Sequence, residues 1–421
     1  MKLLGLAWYS LLNRRFAVIL TIATIALSIG LLVLVEQMRA EVRDGFYRSV
    51  SGTDLIVGAR TAPIQLLLYS VFGIGDATNN IDIETYRELA GQNEVDWTIP
   101  IALGDSHAGY RVVGTTSAFF EHFRYGDRQD LEMARGEGFD DLFDVVIGHR
   151  VARDLGYAPG DSLVLAHGTG RTTLQAHEEL PFKVSGVLAP TATPVDQQLY
   201  ISLAAHRAIH IGWERGTRRP GAGVDADDAR DRADELVPDA ITAVLVGLKS
   251  RGAVFGLQRR VNDYRTEALT AIMPGIALQE LWRITGIAER ILRVVAGLVV
   301  LAGLLGMLTV LLTTLNERRR EMAILRANGA RPGQIAGLLI FEAALIAAAG
   351  IVAGVGLALA VQALAAPWLL THYGLHIGMT WPAGDLWLIL GGIWLAGALI
   401  ALVPALMAYR RTLADGMQVR S

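Results

Sequence analysis

The sequence has no cysteine, and only three of its 38 basic residues, Lys2, Lys183 and Lys249, are lysine. The absence of cysteine excludes disulfides, thiolate metal sites and cysteine nucleophiles within these 421 residues. None of the three lysines lies in the Gly-x-x-x-x-Gly-Lys-Ser/Thr pattern that binds nucleotide phosphates, which predicts that any ATP is hydrolysed by another chain. Charged residues make up only 19% and the net charge is −3, so there is no basic field of the kind that binds nucleic acid.

Apolar residues, in contrast, are abundant: 52% of the chain is hydrophobic, and the mean hydropathy is +0.37. Four segments with few or no charges are each long enough to cross a hydrocarbon core of about 30 Å. They predict four transmembrane helices, at 16–35, 294–315, 335–366 and 386–408. The first segment could be a cleaved signal peptide, but it exceeds the usual apolar region and no small-x-small cleavage site follows it, which favours a retained anchor.

Arginine and lysine indicate the orientation of these helices. They precede the first span, separate the second from the third and follow the fourth, whereas 367–385 contains none. Because cytoplasmic loops carry the positive excess, both termini are predicted to be cytoplasmic. The cytoplasmic segments are then 1–15, with an amphipathic helix from Leu3 to Leu12, a loop at 316–334 and a tail at 409–421.

The large segment 36–293, predicted to lie outside the cytoplasm, has the alternation of short strands, helices and turns that is typical of an α+β domain. We predict strands at 99–103, 110–114, 145–147, 162–165, 182–188 and 241–246. Charged residues and prolines dominate 214–239, which predicts a mobile loop. Both ends of the segment look helical, since 34–47 continues the first span and a stripe from Ala277 to Ile291 leads into the second.

The membrane segments carry two informative residue types. Gly350 and Gly354 form a small-xxx-small pair, and further glycines in the neighbouring spans, at 303, 306, 391, 392 and 397, predict close contact between the helices. Glu342 is the one ionisable residue well inside a span, and must be protonated, paired or turned to a wet surface. Its position near the cytoplasmic end favours simple snorkelling over a proton relay.

Histidines are the candidate metal ligands. His206 and His210 have the i, i+4 spacing that brings two imidazoles to one helical face, and His372 and His376 repeat it. A site needs further ligands that the sequence does not reveal, so the simpler interpretation of His206 and His210 is two surface or capping histidines. No nucleophile–base motif is present, and we predict no catalytic residue.

The cytoplasmic loop contains a predicted amphipathic helix over 317–327. Met322 and Leu325 lie on one side of it, and Asn328-Gly329 forms a stop signal. Such a helix either rests on lipid headgroups, with its charges setting the topology, or seats in a groove on a cytosolic partner. Composition alone leaves both interpretations open.

The string Glu317-Arg-Arg-Arg-Glu-Met-Ala-Ile-Leu-Arg-Ala-Asn-Gly-Ala resembles the signature of the FtsX-like, MacB-type (type VII) ABC-transporter permeases, with Asn328 where leucine is more usual. The one-plus-three arrangement of spans, Asn13-Arg14-Arg15 and the closing segment 404–411 fit the same family. In the outer segment, 54–60 and 194–196 are similar to its periplasmic core domain.

The resemblance implies a stand-alone permease of the bacterial inner membrane, with its large domain inserted between the first two helices in the periplasm. It implies a dimer of permease chains on two ATPase subunits, which bind the ATP and Mg²⁺, and a periplasmic protein or lipoprotein partner. It further implies that the helix in 317–331 couples the permease to the ATPase. The residues assigned to this coupling are Glu317, Arg318, Arg319, Arg320, Glu321, Met322, Ala323, Leu325, Arg326 and Gly329.

Three functions follow as hypotheses. The first is the membrane subunit of an ABC machine, which transmits movement mechanically to a periplasmic domain through two stiff helical legs. The second is a non-transporting scaffold or sensor that activates a periplasmic partner. The third is metal-linked transport that uses the outer histidines.

Overall fold

The computed structural model describes residues 14–168, 179–212, 224–317, 319–327, 329–373, 381 and 384–407. It divides into a unit formed by Met1–Val42 with Gly286–Ser421, the helical unit, and a unit formed by Arg43–Thr285, the mixed unit. The predicted amphipathic helix at Leu3 to Leu12 and the tail at 409–421 lie outside the described residues.

The α-helices, numbered in chain order, are α1 (Arg15–Arg48), α2 (Pro63–Val71), α3 (Ile83–Ala90), α4 (Ala118–His122), α5 (His149–Leu155), α6 (Leu203–His210), α7 (Ala226–Asp231), α8 (Val254–Asn262), α9 (Pro274–Glu317), α10 (Arg319–Ala327), α11 (Pro332–Tyr373) and α12 (Gly384–Ile400). Short 3-10 helices occur at Pro194–Gln197, Ala233–Glu235 and Arg251–Ala253.

The strands are β1 (Leu55–Ala59), β2 (Ile81–Asp82), β3 (Val95–His107), β4 (Tyr110–Thr115), β5 (Arg124–Tyr125), β6 (Gln129–Asp130), β7 (Met133–Gly136), β8 (Asp144–Ile147), β9 (Ser162–Leu163), β10 (Ala166–His167), β11 (Phe182–Leu188), β12 (Gln198–Ser202), β13 (Ala240–Ile241), β14 (Ala243–Leu248) and β15 (Leu269–Ile272). In chain order, all of them lie between α1 and α9.

Four helices, α1, α9, α11 and α12, are long and apolar enough to cross a membrane. Each overlaps one of the four predicted spans, and α1 and α9 continue beyond them to Arg48 and from Pro274, in agreement with the apolar stripe before the second span. Two ends differ from the prediction. The α11 backbone continues to Tyr373, into the predicted loop 367–385. The helix of α12 is interrupted at Ala401, because Pro404 has no N–H to donate to the carbonyl of Ile400.

The four long helices pack around one apolar core, and glycine sets the closest approaches. A Cβ added at Gly350 would lie 2.5 Å from Ile25 Cγ2, and one at Gly354 only 2.7 Å from Ile29 Cβ. The small-xxx-small pair therefore brings α11 against α1, as predicted. Gly303 meets Ser28 on α1 in the same way, and Gly397 meets Ala347 on α11. At Gly306, Gly391 and Gly392 an added Cβ meets nothing within 4 Å, so the predicted contacts between the helices are made at other positions.

Polar side chains inside this bundle are paired or enclosed. Ser28 Oγ donates to the carbonyl of Val299 at 3.2 Å, and Gln362 Nε2 donates to Gln37 Oε1 at 2.6 Å. Glu342 is only 3% exposed. The snorkelling interpretation of Glu342 is therefore wrong, because its side chain lies among the helices rather than reaching to an aqueous surface.

The mixed unit is built on an eleven-stranded sheet with the order β15-β1-β14-β3-β4-β12-β8-β11-β7, to which β10 adds beside β3 and β9 beside β11. Most neighbours are antiparallel, but β4 with β12 and β8 with β11 are parallel. Helices cover the sheet and bury three apolar clusters, the largest side chains among them being Tyr69, Tyr200 and Phe182. The unit is an α+β fold, as predicted.

Each predicted strand has a counterpart, but eight strands were not predicted from pattern: β1, β12 and β15, and the short strands β2, β5, β6, β7 and β10. All five residues of β1 are buried, and β12 is buried except at its end. Strands covered on both faces lose the alternation of polar and apolar residues on which the prediction depends. The mobile-loop prediction for 214–239 is wrong over 224–239, where α7 buries Ala229 completely and Arg230 pairs with Asp141 at 3.0 Å. Its first part, 214–223, lies outside the described residues.

Two alanine substitutions in α11, one at a glycine that contacts α1 and one at a glycine that contacts nothing, test the packing of the bundle. In Gly354→Ala the new Cβ meets Ile29 and the carbonyl of Ala26, and we expect a loss of roughly 1–3 kcal/mol from overpacking. In Gly356→Ala the new Cβ meets nothing within 4 Å, and we expect a gain of up to about 1 kcal/mol from helix propensity. Thermal unfolding in one detergent measures both, and shifts of the same sign would contradict this packing.

Candidate functional site

The helix α10 lies between two membrane-spanning helices, and its ends are defined by local chemistry. After its last turn Gly329 adopts a left-handed φ of 85°, its N–H donates to the carbonyl of Arg326, and the N–H of Ala330 donates to that of Leu325 at 3.0 Å. These two bonds form a Schellman motif, for which a glycine at this position is the usual residue. The predicted stop at Asn328-Gly329 is thus present at Gly329, whereas Asn328 lies outside the described residues.

The chain then enters α11 without a long linker. Pro332 occupies the first helical position, and Gln334 Oε1 accepts a hydrogen bond from the backbone N–H of Arg331 at 2.9 Å. Proline at this position and a glutamine that reaches back to the cap are typical of a well-defined helix start. Together with the Schellman motif, this short connection fixes the position of α10 relative to α11.

The apolar side of α10 packs against its own helical unit. Met322 is 8% exposed and packs with Ile335 and Leu339 of α11 and with Ala405, and Leu312 of α9 and Ala336 add to the cluster. One interpretation of the sequence was that the face of Met322 and Leu325 binds in a groove on a partner. For Met322 that interpretation is wrong, because its side chain holds the helix against the membrane helices.

The opposite side of α10 carries Ile324, whose side chain is 54% exposed. Ile324 lies two residues after Met322, which places the two about 200° apart around a helix. An exposed isoleucine on a short helix is a candidate contact for a partner that binds apolar side chains in a groove. Ile324 was not predicted as a contact residue, because the prediction used only the apolar stripe of Met322 and Leu325. An isoleucine that does not follow the spacing of that stripe could have indicated it.

The other predicted coupling residues lie on or beside this helix. Glu317 ends α9, and α10 includes Arg319, Arg320, Glu321 and Ala323 by backbone; Arg318 lies outside the described residues. Leu325 and Arg326 are half-buried.

A second set of functional candidates joins α1 to α9 within the helical unit. Arg39 Nε donates to Glu289 at 2.5 Å, Arg293 Nε to Glu36 Oε1 at 2.8 Å, and Arg39 also pairs with Glu36. We call Glu36, Arg39, Glu289 and Arg293 the leg network. It begins directly after the predicted first span and includes the residue before the predicted second span. The sequence analysis predicted two helical legs but not these pairs, because the partners are about 250 residues apart.

Of the predicted metal candidates, His206 and His210 lie on α6 in the mixed unit, with side chains only 14% and 28% exposed. Both face the carboxylate of Asp105, which is buried, and His167 approaches it from another strand. The interpretation as surface histidines is therefore wrong, although His210 does hydrogen-bond the carbonyl of His206 within the helix. The other candidate pair is not described in side-chain detail: only the backbone of His372 is described, and His376 lies outside the described residues.

Comparison with known families gives two matches that together extend from the first span to beyond the last. The model described as the MacB-like periplasmic core domain matches residues 17–236, more than half of the chain. The model described as the FtsX-like permease C-terminal matches residues 293–413, which include α10 and the last three spans.

Several curated proteins are similar to the chain. The macrolide export ATP-binding/permease protein MacB of Nitrosomonas europaea is 28% identical over 56% of this chain and 33% of its own length. The pyoverdine export ATP-binding/permease protein PvdT of Pseudomonas aeruginosa is 28% identical over 51% and 29%. The probable syringafactin export ATP-binding/permease protein SyfD of Pseudomonas syringae pv. tomato is 24% identical over 85% and 50%. The chain spans half or less of the length of these relatives.

Among solved structures, the periplasmic region of MacB from Actinobacillus actinomycetemcomitans aligns with 56% of this chain and 97% of its own, at 11% identity and a TM-score of 0.34. The extracellular domain of the noncanonic ABC-type transporter YknZ from Gram-positive bacteria aligns with 52% and 99%, at 14% identity and a TM-score of 0.30.

Alanine substitutions at the two sides of α10 test whether the side of Met322 is packed and the side of Ile324 is exposed. Met322→Ala removes a buried side chain, and we expect the unfolding free energy to fall by roughly 2 kcal/mol or more. Ile324→Ala truncates an exposed side chain, and we expect a change within about 0.5 kcal/mol. Thermal unfolding of the detergent-solubilised chain measures both. An equal loss in the two variants would show that α10 is not packed through Met322.

Proposed function

The chain belongs to the FtsX-like permeases that carry a MacB-like periplasmic core domain, and on this premise we propose that it is the membrane subunit of an ABC-type exporter. ATP and Mg²⁺ bind to separate ATPase subunits, and two copies of the permease chain form the membrane part as a homodimer. The observation that carries the proposal is α10, a helix fixed on its inner side by Met322 and open on its outer side at Ile324.

We place the four long helices across the bacterial inner membrane, with both termini in the cytoplasm and the mixed unit in the periplasm between the first and second spans. The order of elements supports this topology, because all strands come between α1 and α9. The arginines at 318–320, 326 and 331 support it as well, since cytoplasmic loops hold the positive excess. This topology places α10 on the cytoplasmic side, where ATP is available.

We assign α10 the role of the coupling element. A partner can move a helix effectively only if the helix is rigidly attached to what must move, and α10 is attached through Met322 and through the short turn that leads into α11. The contact to the ATPase is made by Ile324 together with the charged residues of 317–331. We propose that Arg319, Arg320 and Arg326 contribute positive charge to the same contact, since polar residues beside an apolar anchor are found at many protein interfaces.

We further propose that α1 and α9 transmit the movement to the periplasmic unit. Each is a single helix that continues across the position at which the chain passes from one unit to the other, at Val42/Arg43 and at Thr285/Gly286. Within the helical unit the leg network joins them, and within the mixed unit the rings of Phe46 and Trp282 meet at 5.4 Å. Paired helices resist bending better than a flexible linker, which absorbs displacement.

The cargo in this proposal is taken from the periplasm or the outer leaflet, and a periplasmic protein or lipoprotein assists in its export, extraction or handling. The relatives support a small molecule rather than a folded protein, because their names state a macrolide, pyoverdine and syringafactin. In the competing scaffold hypothesis, the same ATP-driven movement activates a periplasmic partner without transport. ATPase-dependent export of a labelled macrolide or siderophore into the medium, by cells that produce the chain together with its ATPase, supports the exporter. Recovery of a periplasmic enzyme on the chain, without any export, supports the scaffold.

An aspartate at the exposed anchor tests the coupling role. In Ile324→Asp we expect the ABC ATPase that copurifies with the chain to lose most of its stimulation by the permease, at least about tenfold, because a charge replaces an apolar side chain at an interface centre. The measurement is ATP hydrolysis by the ATPase reconstituted with each variant in lipid nanodiscs. Ile74→Asp is the matched control, since Ile74 of the mixed unit is 56% exposed. Full stimulation in Ile324→Asp, or equal losses in both variants, would remove the assignment.

Neutralising the leg network tests mechanical transmission separately. Glu36→Gln removes the carboxylate that accepts from both Arg39 and Arg293, whereas Glu41→Gln alters a carboxylate outside the network on the same helix. We expect Glu36→Gln to retain ATP hydrolysis but to lower ATP-dependent export several-fold. The reason is that movement is then transmitted by two helices, α1 and α9, that are less firmly joined. The readout is export of the labelled cargo into the medium, divided by the ATPase activity of the same variant in nanodiscs. An unchanged ratio in Glu36→Gln would show that the network does not carry the movement.

A further inference from the structure

A buried carboxylate in the mixed unit is surrounded by three histidines. Asp105 lies on β3 with its side chain fully buried, and His167 on β10 and His206 and His210 on α6 approach it. We call these four residues the His–Asp cluster. They come from positions up to about 100 residues apart, and the family comparison assigns them no role.

The donor atoms of three of these side chains are close enough to share one metal ion. His167 Nδ1 lies 3.0 Å from Asp105 Oδ1, and His210 Nε2 lies 3.6 Å from Oδ2. Donor atoms of Asp105, His167 and His210 all fall within 4.8 Å of one another, and two ligand atoms of one tetrahedral zinc ion are roughly 3.4 Å apart. His206 is outside this group of three, although its Nε2 lies 3.7 Å from Asp105 Oδ2.

The tautomer of His210 favours a cation. Its Nδ1 lies 2.6 Å from the backbone carbonyl oxygen of His206, which can only accept, so Nδ1 carries the proton. In the neutral ring, Nε2 then presents a lone pair towards Asp105 Oδ2. A backbone carbonyl that fixes the non-ligating nitrogen is the usual partner of a metal-bound histidine.

The backbone positions the cluster through two local features. The pairing of β3 with β4 shifts register between Leu103 and Ser106, and such a bulge redirects a side chain, here that of Asp105. On β4, Gly114 leaves room for His206, because a Cβ at position 114 would lie 2.9 Å from His206 Cβ. His167 is directly opposite Asp105 in the pairing of β10 with β3.

We propose that the His–Asp cluster binds one divalent transition-metal ion, with imidazole nitrogens of His167 and His210 and a carboxylate oxygen of Asp105 as ligands and His206 beside them. This donor set suits Zn²⁺. The ion would tie β10 and α6 to the central strand β3. The inference concerns the mixed unit alone and does not depend on the proposed export function.

Metal binding by the full-length chain tests the proposal. The chain is purified through a tag without histidine, treated with a chelator and titrated with ZnCl₂ by calorimetry, and the metal content is measured after gel filtration. We expect one zinc ion per chain and a higher thermal midpoint of unfolding with zinc than without. With Co²⁺ in its place, we expect the visible absorption of a tetrahedral site.

Variants separate this site from adventitious binding. Asp105→Asn and His210→Gln each remove a ligand, and we expect the Kd for zinc to rise at least about tenfold. The matched control is His122→Gln, since His122 is a half-exposed histidine of the same unit that stacks on Trp97 outside the cluster. His167→Gln, on a two-residue strand, serves if the buried variants do not fold, as judged by the metal-free thermal midpoint. A wild-type chain that takes up no zinc, or ligand variants that bind it as tightly as His122→Gln, would overturn the proposal.

Discussion

The contact between α1 and α9 is the constraint on which the rest of the architecture depends. The chain leaves the bundle along α1 and returns along α9, and all of the sheet is built between these two passages. In the membrane the helices approach through Ser28 and Gly303, where a small residue is the only way to bring two backbones close. Their charged pairs begin where the apolar run ends, because an unpaired charge in hydrocarbon is costly and one in water is not. Within the helical unit the pairing of the two helices thus changes its chemistry along the chain, from glycine packing to ion pairs.

The sequence predicted the parts of the fold whose signal is local. Four apolar runs gave four long helices, and the Gly350–Gly354 spacing gave a true helix contact. The misses share a physical cause, since each depends on what the rest of the chain covers. Strand β1 is buried on both faces and lacks alternation, and the charged stretch around Arg230 is ordered by Asp141 from a distant segment. Glu342 carries no mark in the sequence that distinguishes an enclosed carboxylate from a snorkelling one.

In the candidate site, too, only the local features could be predicted from the sequence. The sequence located α10 and its end at Gly329, because helix stops are encoded by single residues. It did not identify which side of the helix faces outward, since a short amphipathic helix can turn its apolar face to its own protein or to a partner. Tertiary packing decides, and it uses Met322 internally. The His–Asp cluster is a stronger case: the i, i+4 pair was visible, but Asp105 and His167 join it only through a bulge and a strand pairing.

In the proposed function, movement transmitted by α1 and α9 is useful only if the unit that receives it moves as one body. In the mixed unit the central strand β3 contacts β14 and β4 along its length, so displacement at the sheet is shared among many hydrogen bonds. The weakest attachments are the shortest strands, and β10 is held to β3 by two residue pairs. The His–Asp cluster lies at this attachment and involves α6 as well. Local opening of the unit costs least at short elements such as β10 and α6. Interactions that tie these two elements to β3 therefore contribute most to the stiffness of the unit.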